Sequence, residues 1–289
     1  MPGPTLIRSV STSAGRASCS VPRDAWAACC SEPGDELMAN VLVHAVRKIF
    51  RRLGFDVVRH HRTPLPPSDI DATAATTIRH VQPYTMTSPE RLYALIQAVR
   101  YVSATAIPGD IVECGVWRGG SMMAVAHALK GVGETARGLF LYDTFTGMPT
   151  PSGRDERFDG EAASDLLVAA TKSSPIWASA SLEDVMTNLA STGYPMENVH
   201  FIRGKVEDTI PQKAPTGICL LRLDTDWYES TKHELTHLYP RLARNGILII
   251  DDYGHWRGAK EATDEYFSES KPTPFLHRID YTGRLVIKT

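Results

Sequence analysis

Several features that would shortcut a reading of this sequence are absent. No apolar run approaches the roughly 18 residues of a membrane span, so no span is expected. No sign of charge dominates. The formal net charge is −2, which argues against a nucleic-acid partner. Cysteine is scarce: Cys19, Cys29, Cys30, Cys114 and Cys219 are odd in number, two are adjacent, and none forms C-x-x-C. That argues against a disulfide framework or a zinc site and favours a reducing, cytoplasmic compartment. The ten histidines include no H-E-x-x-H. The start lacks the apolar stretch of a signal peptide.

What is present is enough apolar residue, 43% of 289, for a sizeable core. Residues 1–37 are rich in Ser, Ala, Pro and Gly without periodicity and read as a disordered extension. Residues 38–82 open with "MANVLVHAVRKIFRRLGF", whose Val41, Val43, Val46, Ile49, Phe50 and Leu53 approximate one helical face among arginines and lysines. It reads as an amphipathic helix packed on the domain or on a second subunit, with a membrane-surface anchor as the alternative. The expected assembly is a homo-oligomer. A proline-containing stretch over 60–83 reads as a connector. Residues 83–289 then alternate strand and helix. Strands are expected at 110–116, at "GLFLYDTF", at "VHFIRG", at 218–224 and at 246–252, with helices between them. "PFLHRID" and "GRLVIKT" read as a closing antiparallel hairpin. The fold class is therefore α/β, a doubly wound, mainly parallel sheet with a C-terminal antiparallel hairpin. Residues 146–180 read as an active-site cover.

The chemistry concentrates at strand ends. "ICLLRLDTDW" ends in Asp224 and Asp226, and "GILIIDDY" ends in Asp251 and Asp252. Ile- and Leu-rich runs read as buried parallel strands, and open α/β sheets bind ligands at the carboxyl ends of their strands. Four carboxylates converging there call for a hard divalent cation with oxygen ligands. At the other end of the domain, "DIVECGVWRGGSMMAVAHAL" is strand, glycine turn and helix. Its G-x-x-x-G-G spacing is not the dinucleotide fingerprint. Gly115, Gly119 and Gly120 let backbone approach a ligand at a helix N-terminus. Glu113 stands just before the turn, as a cofactor contact or as a cap for backbone groups. Asp143, ending the next strand, sits where ribose hydroxyls are bound in such folds. Cys114 and Cys219 read as core residues.

Together, "PGDIVECGVWRGGS", "LYDTFTGMP", "LRLDTDWYEST", "GILIIDDYGHWRGAKEATDEYF" and "TMTSPERLYAL" resemble the macrocin O-methyltransferase (TylF-like) family. The resemblance covers residues 83–289. It implies a class I methyltransferase fold and an S-adenosylmethionine- and Mg²⁺-dependent O-methyltransferase. The acceptor it implies is a sugar hydroxyl on a glycosylated small molecule or a glycan. Carried over position by position, it implies Asp224, Asp251 and Asp252 as metal ligands and Asp226 as general base. The cofactor-binding set expected at the glycine turn and strand ends is Glu113, Gly115, Gly119, Ser121 and Asp143. Tyr84, Met86, Met148, Tyr228 and His255 are substrate-pocket candidates by position. The rival readings are a metal-dependent methyltransferase of phenols or catechols, a nicotinamide dehydrogenase, and a non-catalytic protein of the same fold. The acidic residue two after Asp224 favours the sugar reading over the phenol one.

Overall fold

The computed structural model describes residues 69–171, 174–270 and 272–289. The expected extension over 1–37, the amphipathic helix from Met38, and Cys19, Cys29 and Cys30 lie outside the described residues.

The first described element corrects the sequence reading. Part of the expected connector is a helix, α1 (Ala72–Val81). The prolines that suggested a connector stand before residue 68 and at Pro83, leaving 72–81 free to wind. Asp71 caps it by accepting the Ala74 N–H at 3.0 Å. Ala74, Ala75, Ile78 and Val81 form the buried stripe. Next, α2 (Pro89–Ala104) starts as expected, with Ser88 as N-cap and Pro89 at the first position. Six apolar residues of α2 are buried. Fully burying a leucine such as Leu92 or Leu95 stabilises by roughly 1.5–3 kcal/mol each.

The remaining chain alternates. The strands are β1 (Asp110–Cys114), β2 (Leu139–Asp143), β3 (Val199–Arg203), β4 (Ile218–Leu223), β5 (Leu242–Ile250), β6 (His277–Arg278) and β7 (Arg284–Ile287). The helices are α3 (Gly120–Gly131), α4 (Ala163–Ala169), α5 (Leu182–Ser191), the single turn α6 (Val206–Thr209), α7 (Tyr228–Leu238) and α8 (Arg257–Ser268). They build a seven-stranded sheet in the order β3-β2-β1-β4-β5-β7-β6. The first five strands are parallel; β7 runs antiparallel to both of its neighbours, as the hairpin signal anticipated. Strand β5 begins earlier than expected, at Leu242. A register shift between Ile218 and Leu220 of β4 absorbs the polar residues before Gly246.

Alternation along the central strands sends side chains into two cores. Ile111, Leu139, Leu141, Leu220, Ile247 and Ile249 share one core with α1, α2, α3 and α5. Val112, Cys114, Tyr142, Leu221, Leu248 and Ile250 share the other with α7 and α8. Cys114 and Cys219 are buried free thiols, as expected of core residues. The 146–180 cover carries α4, and a small third core, Ala163, Leu167, Trp227, Trp256 and Ala259, pins it to the domain. Among the described residues no helix is long and apolar enough to cross a membrane.

Candidate functional site

The sheet order reverses direction at β1, which lies between β2 and β4. A crevice must open at the carboxyl ends of β1 and β4. A cavity of about 290 Å³ lies there, reaching from the end of β3 to the β6–β7 turn. Its wall divides into two halves by strand order.

One half lies over β1, β2 and β3. Gly115 has φ +80°, and a Cβ there would stand 2.0 Å from the Asp224 carbonyl oxygen, so only glycine lets β1 and β4 close on each other. Gly115 and Ser121 line the cavity. Gly119 caps α3 in the left-handed region at φ +83°, and an added Cβ would meet Leu189 and Val185 of α5. Its glycine is demanded by packing, and it is not part of the cavity wall. Asp143 is on the wall, but its carboxylate is already engaged. Oδ2 accepts the N–H groups of Val116 (2.8 Å) and Trp117 (3.1 Å), and Oδ1 accepts that of Phe145 (2.7 Å). Burial pushes this carboxyl up, against the pull of those three donors. It clamps the glycine turn to the start of the cover.

The other half lies over β4, β5 and β7. One oxygen from each of Asp224, Asp251 and Asp252 falls within 4.8 Å of the others. Asp226 follows in a turn at φ +66°, not on the strand. Its backbone N–H donates to Asp252 Oδ2 at 3.3 Å. The left-handed turn brings Asp226 to the cavity. Burial and the Asp252 and Asp224 charges push Asp226 well above the ordinary carboxylate range, although its surface is only half-buried. Burial, then the Asp224 charge, lifts Asp252 to about 7.

Two arginines that sequence reasoning passed over hold this acidic half together. Arg222 lies in β4, directly beside Glu113 of β1 in register, with its side chain 3% exposed. Its guanidinium donates to Glu113 and to Asp251, reaches Asp224 Oδ2 at 2.8 Å, and donates to Thr87 Oγ1 at 2.7 Å. Arg91 of α2 pairs with the other oxygen of Asp251 and with Asp280 at 3.0 Å. Glu113 therefore turns away from the cavity. It is fully buried against Arg222, and its Oε2 has no partner. Burial, opposed by Arg222, raises its pKa to about 7. The only sequence signal for this lattice was a lone arginine inside an otherwise apolar strand, since a charge is not buried there unless paired.

The donor set suits a hard divalent cation. Three carboxylates converge, all donors are oxygens, and Asp224, Asp226, Asp251, Asp252 and Glu113 outnumber the two guanidiniums. Of the substrate-pocket candidates, Met86, Met148 and His255 line the cavity. Tyr84 instead lies under Arg118, and Tyr228 donates its hydroxyl to Glu265 at 2.6 Å. Burial, with Arg157 and Arg91 nearby, holds the His255 imidazole below its ordinary value. A further residue escaped notice in the sequence. Asp155 of the cover is 1% exposed and accepts the Tyr228 N–H (2.8 Å) and the Ser152 N–H (2.6 Å). It ties the cover to the helix that follows Asp226.

Comparison with known proteins agrees with this geometry. The family model described as macrocin-O-methyltransferase (TylF) matches residues 42–287. The 8-demethyl-8-(2,3-dimethoxy-alpha-L-rhamnosyl)-tetracenomycin-C 4'-O-methyltransferase of Streptomyces olivaceus is 36% identical over 205 residues, 69% of this chain and 74% of that protein. Demethyldecarbamoylnovobiocin O-methyltransferase of Streptomyces niveus is 34% identical over 200 residues, with 69% and 74% covered. Among solved structures, the O-methyltransferase NovP is 33% identical and superimposes with a TM-score of 0.63, covering 71% of this chain and 82% of that one.

Proposed function

From the premise that the chain belongs to the macrocin O-methyltransferase (TylF) family and is an S-adenosylmethionine-dependent O-methyltransferase, we propose that its acceptor is a sugar hydroxyl on a glycosylated natural product or glycan, with Mg²⁺ in the acidic cluster. The observation that carries this reading is the division of one cavity at the β1/β4 switch point. A glycine turn and a clamped Asp143 face one half, and four carboxylates face the other. The relative whose name specifies a sugar position, the tetracenomycin 4'-O-methyltransferase, supports the acceptor class.

The reaction is an in-line displacement, so alignment and an activated hydroxyl are what the protein must provide. Gly115, Ser121 and the Asp143-clamped turn form the wall that receives the methyl donor. Asp224, Asp251 and Asp252 would hold Mg²⁺, which supplies charge stabilisation for a developing alkoxide. Arg222 and Arg91 pair with the two oxygens of Asp251, so this side chain is fixed before anything binds, and an ion would share an oxygen that a guanidinium already holds. Asp226 takes the proton of the sugar hydroxyl. Its left-handed turn sets Asp226 on the cavity wall beside the three proposed ligands, within reach of a hydroxyl bound there. The Trp227 and Trp256 indoles, 5.0 Å apart and edge-on, line this end of the cavity.

A screen of labelled methyl transfer from S-adenosylmethionine onto glycosides, with phenols and catechols as comparators, tests the acceptor class. Transfer to sugar hydroxyls is expected. Transfer confined to phenols or catechols would overturn it.

A further inference from the structure

One buried acid has no part in the function above. Glu234 lies midway along α7 and is fully buried, in a stripe whose other members are Tyr228, Ser230, Thr231, Leu235 and Leu238. Leu235 and Leu238 pack into the core under α7 and α8. A leucine at 234 would extend that packing, so the acid is there at a cost. Among the described residues no cation pairs with Glu234, and burial pushes its carboxyl well above the ordinary range. A carboxyl buried without a cation stays neutral, and it still needs hydrogen-bond partners. Its partners are the Thr225 hydroxyl and the Cys114 thiol at the end of β1.

What Glu234 touches is the middle of the acidic turn. Thr225 stands between Asp224, a proposed ion ligand, and Asp226, the proposed base. Its hydroxyl donates to the Glu234 carboxyl, 3.0 Å from one oxygen and 3.2 Å from the other. Asp226 is held at φ +66°. A left-handed residue other than glycine persists only where its surroundings over-determine it. The Asp226 N–H reaches Asp252 at 3.3 Å, and the Trp227 N–H donates back to the Thr225 carbonyl at 2.8 Å, inside the turn itself. The ties to a regular element come from α7. Ser230 Oγ reaches the Thr225 carbonyl at 3.4 Å, and Glu234 accepts the Thr225 hydroxyl from below. Thr225 and Ser230 line the cavity, whereas Glu234 does not.

We infer that Glu234 is a positioning residue: through Thr225 it holds the turn that sets Asp226 on the cavity wall, without meeting substrate or cofactor itself. This rests on the base reading of Asp226, and the test separates the two. Thr225→Val combined with Glu234→Leu removes both ends of the bond and strands neither, so the unfolding temperature should stay near that of wild type. The released turn should show in two readouts. Hydrogen exchange by mass spectrometry over residues 224–230 needs no acceptor, and it should quicken by about tenfold or more as the Trp227 N–H loses its fixed partner. With the glycoside best accepted in the screen above, kcat should fall by about tenfold or more, with KM for S-adenosylmethionine little changed. Glu234→Gln keeps an acceptor for the Thr225 hydroxyl, and Thr225→Ser keeps the donor, so both should stay within a few-fold of wild type. If the double variant does not fold, Thr225→Val set against Thr225→Ser makes the same comparison. Wild-type exchange and kcat in the variants that lack the bond, or Glu234→Gln as slow as they are, overturns the positioning role. Asp226→Asn in the same assay tests the premise. A wild-type rate there overturns the base reading, while a slow Asp226→Asn beside an unimpaired double variant overturns the role of Glu234 alone.

Discussion

Replacing Arg222 with methionine removes one positive charge from a place where water cannot replace it. The side chain is 3% exposed, and its partners Glu113 and Asp251 are 1% and 2% exposed. After Arg222→Met, Glu113 has no partner at either oxygen, because its Oε2 has none already. Asp251 keeps Arg91 alone. Breaking a buried ion pair from one side costs about 3–5 kcal/mol. The stranded Glu113 can escape by staying protonated, which is easier at lower pH. For a domain of this size each kcal/mol moves the unfolding temperature by about 2–4 °C, so a fall of roughly 6–20 °C is expected. Calorimetric unfolding at pH 7.5 and pH 5.5 is the assay. The loss should be clearly smaller at pH 5.5, where protonation is easier, and Glu113→Gln added to Arg222→Met should recover part of it. A variant within about 2 °C of wild type at pH 7.5, or a loss that ignores pH, would refute the idea that Arg222 neutralises this cluster.

Three further outcomes follow from the same geometry. Asp226→Asn should lower kcat by about 10²–10⁴-fold while leaving S-adenosylmethionine affinity nearly unchanged by calorimetry; a variant within a few-fold of wild type would move the base role elsewhere. Asp143→Ala should lower both stability and cofactor affinity, because it strands the Val116, Trp117 and Phe145 N–H groups as well as altering the wall; a fall in affinity with no change in unfolding temperature would show the clamp to be unimportant. Glu113 and Asp252 are lifted to about 7 in the folded protein, above their ordinary values, so between about pH 5 and 7 these two groups bind fewer protons in the unfolded chain than in the folded one. Stability in chelator should therefore fall as pH rises through that window, and Mg²⁺ should reduce the fall. An unfolding temperature that rises from pH 5.5 to 7.5 in chelator would contradict this.

Much of this was legible because strand-end chemistry obeys simple rules. An apolar run stopping at Asp224, or at Asp251–Asp252, reads as a buried strand delivering carboxylates to a crevice. The last two segments read as a hairpin because Tyr281–Gly283 interrupts them. Residues whose roles depend on a neighbouring strand were not legible. Glu113 looks like a cofactor contact along its own strand, yet its direction is set by Arg222, more than a hundred residues away and adjacent only through register. Asp226 lies beyond the strand expected over 218–224, but that its turn is left-handed and returns it to the cavity is a tertiary outcome that the local pattern does not encode. Gly119 looked like a ligand approach, but α5 packing explains it. Helix α1 was hidden by prolines on both sides of a segment that contains none.

The most direct test of the central claim, that the acidic half of the cavity is a divalent-cation site serving methyl transfer, is turnover in excess chelator followed by Mg²⁺ replacement. The account predicts that transfer from S-adenosylmethionine to a glycoside stops in chelator and returns with Mg²⁺, and that Asp252→Asn is not restored by the same addition. Full turnover in excess chelator would contradict it.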